Sequence, residues 1–386
     1  MHFASRTDWD SSENDLSRAW KSASEPKIDL TLSNPTRCGF DYTELEIPAI
    51  FADEGVLAYA PEPLGMASTR EVVAGLYGVA PERIVLTASS SESYAHLFRL
   101  LCNGGDEVLV PTPSYPLFDF LADLADVRLV YYPLIYREGV WRIDRGALEN
   151  LVSDKTRAVV VVNPNNPTSS YLRGEDAEFL RDLAAERGLA IISDEVFADY
   201  AIAPGGDACR SLAGAEDGAL TVVLGGLSKS LGLPQMKLGW MVLGGETEAV
   251  EQARERLEII CDTFLSVSTP AQILAEKLLP KREKIAGQIR ARVRANYEFL
   301  KANLCDGLCV LPIEGGWYAV IQSDGIADEG EFAVALAREK SVLIHPGFYY
   351  GFDSGTHFVV SLLPQEEAFS DGIKRLGEFY NSRLSC

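Results

Sequence analysis

Short runs rich in Val, Ile and Leu alternate with helical patterns between about residues 80 and 245. Seven of these runs predict strands, at 83–87, 107–111, 128–132, 157–163, 189–193, 221–225 and 239–243. They are apolar on both faces, as buried strands of a largely parallel sheet are. Between them, 91–101 and 175–187 carry apolar residues at helical spacing. The alternation predicts an α/β fold with a large, mostly parallel seven-stranded sheet between two layers of helices.

The pattern changes after about residue 245 and predicts a smaller α+β domain. Long helices are expected at 246–264 and 282–304, and a last one at about 366–382. Strand-like segments lie at 309–311, 317–322, 342–345 and 358–362. The N-terminal arm is expected to be mostly irregular. The predicted division is therefore an arm and part of the small domain at 1–49, a large domain at 50–279 and a small domain at 280–386.

Charge and composition exclude several classes of partner. The 386 residues include 35 basic and 56 acidic ones, a formal net charge of −21, which disfavours nucleic acid and anionic membranes. No apolar run approaches the ~20 residues that span a bilayer, and residues 1–14 show no hydrophobic signal region, so we expect a cytoplasmic protein. The seven scattered cysteines predict reduced thiols and no metal site.

The most informative residues follow the strands, because ligands of open α/β sheets lie beyond the carboxyl ends of the strands. Lys229 stands in Gly-Leu-Ser-Lys-Ser directly after a predicted buried strand. Desolvation there would favour the neutral amine, a nucleophile towards an aldehyde. A phosphate-binding loop is a poor alternative because Ser228 occupies the position of its glycine. A solvated lysine in a turn remains the plainer interpretation of this segment alone.

Three more loops have a chemical and a purely structural interpretation. Asp194 could pair with a pyridinium nitrogen, or could cap a helix or bind a metal. Asn166, in Asn-Pro-Asn-Asn-Pro-Thr, could donate its amide to a phenolate-type oxygen, or simply belong to a rigid turn. Ser90 and Ser91 open a predicted helix whose N-terminus would suit a phosphate, or only a cap.

Together and in this order, the four loops resemble the fold type I pyridoxal-5'-phosphate (PLP) enzymes, and within them the class I and II aminotransferases. The resemblance covers about residues 30–380. It implies that Lys229 carries the cofactor as a Schiff base, that Asp194 is the partner of the ring nitrogen, and that Asn166 is the donor to the ring oxygen. The residues that it implies for the phosphate are Ser90, Ser91 and Ser228.

Two tyrosines extend the resemblance. Tyr115, in Pro-Ser-Tyr-Pro, resembles the aromatic residue that stacks on the cofactor ring. Tyr59, in Tyr-Ala-Pro-Glu-Pro-Leu-Gly, resembles the tyrosine that reaches the phosphate of the neighbouring subunit. The second match implies a homodimer with shared active sites.

The sequence departs from the family pattern at several positions. Lys237 stands where the family usually has an arginine for the phosphate, and Phe197 where it has a tyrosine. Ser169 replaces the glycine of the Asn-Pro-Thr-Gly pattern. Val359 occupies the place of the arginine that grips the substrate α-carboxylate. Arg37, in the arm that the resemblance places at the active-site mouth, is the candidate replacement, although a surface arginine is the plainer interpretation.

The resulting prediction is a PLP-dependent aminotransferase that moves an amino group between an amino acid or amine and a 2-oxo acid. A PLP-dependent lyase or oxidase on the same scaffold is the first alternative, because the same cofactor serves either route. A non-catalytic PLP-binding or regulatory module is the alternative from another class. The donor, the acceptor and the oligomer size beyond a dimer do not follow from the sequence.

Overall fold

The computed structural model describes residues 2–59, 61–265 and 267–384. Its strands are β1 Ile28–Asp29, β2 Ile84–Thr87, β3 Glu107–Thr112, β4 Arg128–Arg137, β5 Val140–Ile143, β6 Thr156–Val162, β7 Ala190–Asp194, β8 Thr221–Gly226, β9 Gly239–Gly244, β10 Leu308–Val310, β11 Tyr318–Ser323, β12 Val342–Leu343, β13 His345–Pro346 and β14 Thr356–Ser361. Its α-helices are α1 Asp15–Ser22, α2 Ile47–Ile50, α3 Ala67–Tyr77, α4 Ser90–Leu101, α5 Phe118–Leu124, α6 Arg145–Leu151, α7 Gly174–Arg187, α8 Leu227–Ser230, α9 Thr247–Phe264, α10 Thr269–Leu278, α11 Glu283–Asn303, α12 Glu329–Lys340 and α13 Glu366–Leu384.

The large sheet has eight strands in the order β2-β9-β8-β7-β6-β3-β4-β5. The α/β prediction is confirmed, but the count of seven strands is wrong. The additional strand, β5, pairs antiparallel with β4, and a tight turn at Glu138 and Gly139, both with positive φ, joins them. Within the sheet, β9 and β5 run against the other strands, and the remainder are parallel to one another.

Both faces of the large sheet are buried, which explains the continuous apolar runs. Val108 and Val110 pack with α4, α5 and α9 on one face, whereas Leu109 packs on the other face with α3, α6 and α7. The period of two along a strand sends alternate side chains to opposite helix layers. Polar positions are consequently confined to the ends of the strands, where the chemistry is expected.

The smaller sheet is antiparallel, in the order β10-β11-β14-β13. The predicted strand at 342–345 is in fact two short strands, because β12 leaves this sheet and pairs in parallel with β1 of the N-terminal arm. The arm is thus less irregular than predicted, since it also contains α1. Strands β2 to β9 form the large sheet and most of the later ones form the small sheet, which supports a large and a small domain. The domain boundaries near residues 50 and 280 stay a proposal.

None of the described helices is both long and apolar enough to cross a lipid bilayer.

A buried asparagine on α11 fixes the segment that leaves β14. The Asn296 amide donates to the carbonyl oxygens of Leu362 (2.9 Å) and Pro364 (2.8 Å), and the side chain is almost fully buried. Buried carbonyl groups without a donor cost free energy comparable to a lost hydrogen bond. Asn296 therefore couples α11 to the small sheet.

We predict that Asn296→Leu lowers the free energy of unfolding by roughly 1–3 kcal/mol, because the buried Leu362 carbonyl loses its donor and the Pro364 carbonyl keeps only the longer bond from Arg292 (3.3 Å). Denaturant unfolding followed by circular dichroism measures the change. Asn303→Leu is the control, because Asn303 lies exposed near the end of the same helix and donates only within it. Equal stabilities of the two variants would contradict the assigned role.

Candidate active site

The four parallel strands β3, β6, β7 and β8 end at the same edge of the large sheet. The residues that follow them include Tyr115, Asn166, Asp194 and Lys229, so the topology brings together four of the sequence-predicted positions.

Lys229 lies in the short helix α8, with its amine against aromatic rings. The Nζ atom is 4.6 Å from the ring centroid of Trp317 and 5.1 Å from that of Phe197. Desolvation lowers the pKa of the Lys229 amine to about 8, while the negative charge of Asp194 acts in the opposite direction. Near neutral pH a usable fraction of this amine is therefore neutral and nucleophilic.

Asp194 ends β7 and is buried. Its carboxylate accepts hydrogen bonds from the Tyr94 hydroxyl (3.1 Å) and the Val196 backbone N–H (3.2 Å). Burial raises the pKa of Asp194 to about 6, and the two hydrogen bonds and Lys229 limit the rise. The group is mostly ionised at pH 7 and is suited to hold a cationic ring nitrogen.

In the loop after β6, two asparagines hydrogen-bond to the backbone and a third does not. Asn163 donates to the Cys209 carbonyl (2.9 Å), and Asn165 donates to the carbonyl of Pro113 (3.1 Å), so both fix backbone. Asn166 is also buried, but its Oδ1 atom has no hydrogen-bond partner within the described residues. A buried amide left unpaired by the protein is an expected feature of a ligand site.

The N-terminus of α4 is built as a cradle. Ser89 caps the helix by accepting from the Glu92 N–H (3.1 Å), and the Glu92 carboxylate accepts from the Ala88 N–H (2.5 Å). In the described structure the hydroxyls of Ser90 and Ser91 make no hydrogen bond, which leaves them available to an anion.

Gly239 allows β9 to approach this cradle. A Cβ atom at Gly239 would lie 2.9 Å from the carbonyl carbon of Ser89 and 3.1 Å from the backbone nitrogen of Ser90. Both neighbours are backbone atoms that cannot move aside, so only glycine fits without displacing the cradle.

The remaining predicted residues lie at the rim or away from it. Tyr115 is 41% exposed, and the charge of Asp194 contributes to its raised pKa, so the two side chains lie in one region. Ser228 is half-buried beside Lys229, and Lys237 is exposed with a φ of 51°. Arg37 is exposed in the 3-10 turn Pro35–Arg37, and Tyr59 is 79% exposed.

Sequence reasoning missed two side chains of the site. Tyr94 is one turn along α4 from Ser90 and Ser91, so helical spacing from the serines could have indicated it. Trp317 follows Gly315 and Gly316, and that pair of glycines before a strand was the only local signal. Both contact their partners from distant parts of the chain.

Val359, at the position of the expected carboxylate-binding arginine, has apolar surroundings. Val359 is buried in a cluster with Trp141, Leu311 and Val320. Val320 is its partner across the two strands of the small sheet. The side chain offers no charge or hydrogen-bond donor to a substrate.

Comparison with known proteins gives a consistent picture. Residues 39–368 match the family model described as aminotransferase class I and II. An alanine aminotransferase of Mycobacterium tuberculosis is 26% identical over 91% of this chain and 85% of that protein. A glutamate–pyruvate aminotransferase of Escherichia coli is 25% identical over 91% and 90%. A crystal structure of an aminotransferase from Escherichia coli superimposes with a TM-score of 0.86 at 24% identity, over 99% of this chain and 98% of that one.

We predict that, in protein freed of cofactor, acetylation of Lys229 by trace acetic anhydride rises with a midpoint near pH 8. A solvated lysine would show a midpoint about two units higher. In Asp194→Asn the midpoint should fall further, because the charge that raises the Lys229 pKa is removed. Mass spectrometry of the Lys229 peptide measures it. Asp182→Asn, on the exposed face of α7, should change nothing, and a midpoint near 10 would refute the desolvated amine.

Proposed function

The chain belongs to the aminotransferase class I and II family, whose members move amino groups between amino compounds and 2-oxo acids, and we propose that it does so with PLP held on Lys229. PLP is the cofactor that this family uses.

One observation carries the assignment of Lys229. Its amine is desolvated against two aromatic rings that contact each other, near the buried carboxylate of Asp194, at the edge where the parallel strands end. The chain thus supplies both a nucleophilic amine for the aldehyde and an anion for the pyridine nitrogen.

Two features fit PLP at this place: the buried Asn166 side chain, which makes no hydrogen bond within the described residues, and the glycine-lined cradle at the start of α4. We propose that the Asn166 Nδ2 donates to the ring oxygen and that Tyr115 stacks on the ring. Ser90, Ser91, Ser228 and Lys237 would hold the phosphate. When bound, the cofactor supplies an electron sink that stabilises negative charge at the substrate Cα.

Lys229 has a second role in this proposal. When it does not hold the cofactor, the Lys229 amine would take the proton from the substrate Cα and later give it back. The rings of Trp317 and Phe197 would then stabilise the ammonium through cation–π contacts. Phe197 has no hydroxyl, so Asn166 is left as the main donor to the ring oxygen.

The substrates proposed are an amino acid or amine as donor and a 2-oxo acid as acceptor. The relatives act, by name, on alanine or on glutamate and pyruvate. Because Val359 cannot hold a carboxylate, another group must do so, or the donor must lack one. Arg37 remains our candidate anchor.

A homodimer with shared sites is also proposed. The exposed Tyr59 lies in a segment with two further exposed apolar side chains, Phe51 and Leu57. A second subunit would cover them and would receive the Tyr59 hydroxyl at its phosphate site. The cytoplasmic location inferred from the sequence stays a prediction.

Borohydride reduction of the loaded enzyme should fix the cofactor on the peptide that contains Lys229, and Lys229→Ala should abolish turnover. The physical reason is that the Lys229 amine is desolvated, whereas Lys237 is exposed. Peptide mass spectrometry locates the label. Label on Lys237 would refute the assignment.

Mixed dimers test the role of Tyr59. Lys229→Ala should be inactive, and Tyr59→Phe should be weakly active at limiting cofactor, because one charge-assisted hydrogen bond to phosphate is lost. After the two variants are co-refolded, each mixed dimer contains one intact site, which should restore roughly a quarter of wild-type activity. A mixture no more active than its parts would show that Tyr59 does not act across subunits.

A further inference from the structure

A cavity of about 320 Å³ lies beside the active site, between the segment that follows β3 and the turn Gly347–Tyr350 of the small domain. Five aromatic side chains line it: Tyr115, Tyr131, Phe348, Tyr349 and Tyr350. Tyr115 belongs both to this wall and to the proposed cofactor site, so the cavity adjoins the place where a substrate would react.

Two hydrogen bonds to backbone carbonyl groups join the two walls of the cavity. The Ser114 N–H donates to the Tyr350 carbonyl (2.9 Å), and the Thr112 hydroxyl donates to the Gly351 carbonyl (2.9 Å). The aromatic residues of the small domain are thereby fixed against the loop that carries Tyr115. A wall that is fixed by such hydrogen bonds is pre-organised for a ligand.

The charge in the lining of the cavity is negative. Among the described residues that line it, Asp119 is the only charged one. Its carboxylate accepts from the Tyr131 hydroxyl, and it pairs with no lysine, arginine or histidine in the described part of the chain. Two acidic residues nearby have partners in the N-terminal arm: Asp126 pairs with Arg6, and Asp123 accepts a hydrogen bond from the Trp9 indole.

Three of the tyrosines that line the cavity stay neutral at pH 7, so they add no negative charge to it. Desolvation raises the pKa of Tyr115 to about 12, and it also raises the pKa of Tyr131 and of Tyr350. Neutral aromatic faces carry a negative quadrupole, which attracts an ammonium or a guanidinium. An anionic ligand would find only repulsion from Asp119, since no cation lines the cavity.

We propose that this cavity binds the distal cationic group of the amino donor, an ammonium or guanidinium at the end of an aliphatic chain. The inference rests on the proposed function, because it assigns a substrate class to the same site. It also complements Val359: where the usual carboxylate anchor is apolar, a cation held at the far end can orient the donor.

The test uses two donors of equal length that differ in charge, L-arginine and L-citrulline. With the PLP-loaded enzyme, kcat/KM for arginine should exceed that for citrulline about tenfold or more, as a cation–π site with a carboxylate implies. Asp119→Asn should remove most of this preference and leave citrulline unchanged. Asp123→Asn is the matched control on the same helix, outside the cavity lining, and should keep the preference.

A binding measurement separates this inference from the proposed function. Butylguanidine and butylurea have no α-amino group to react, so calorimetric titration reports the cavity alone. Tighter binding of butylguanidine, lost in Asp119→Asn, supports the inference. Equal binding of the two probes overturns it, as does equal use of arginine and citrulline or a preference for phenylalanine that Asp119→Asn does not change. Absence of turnover with every donor, with butylguanidine still bound, would overturn the proposed function and leave the cation site standing.

Discussion

The Lys229 amine is desolvated against aromatic rings, and the negative charge of Asp194 partly offsets the effect of desolvation on its pKa. A lysine in bulk water would be almost fully protonated at neutral pH and would react poorly with an aldehyde. A lysine with no anion nearby would lose its value as a proton acceptor, because desolvation would lower its pKa further. The balance of the two effects sets the pKa of the Lys229 amine at about 8. This balance depends on the Tyr94 hydroxyl, whose hydrogen bond holds the Asp194 carboxylate in place.

The backbone around this pair is packed too closely to adjust. At Gly226, an added Cβ would be 3.2 Å from the Cα of Gly239, so β8 and β9 touch through backbone just before Lys229. Gly239 in turn touches the cradle at Ser89 and Ser90. The lysine, the anion cradle and the edge of the sheet are therefore one rigid piece, and a change of a single atom at either glycine would displace the groups that must meet a ligand.

Much of the fold could be predicted because apolar runs and their polar ends are local signals. The strand ends at Asn166, Asp194 and Lys229 were recognisable for that reason, whereas β5 was not. Its sequence, Val-Trp-Arg-Ile, is short and forms a strand through its pairing with β4. The two-residue β1 likewise exists only because β12 lies beside it. Tyr94 could have been found from its helical spacing to the serines of α4, whereas Trp317 reaches the site from a distant part of the chain, and no periodicity encodes that contact.

The hydrogen bonds that join Ser114 to Tyr350 and Thr112 to Gly351 end on main-chain carbonyls of the small domain. Substitution of Phe348, Tyr349 or Tyr350 leaves those carbonyls in place, and Asp119 takes no part in the bonds. The side chains that line the cavity can accordingly change during evolution while the hydrogen bonds that join its two walls are kept. Laboratory selection for other donors should therefore begin at Asp119 and the aromatic residues that line this cavity.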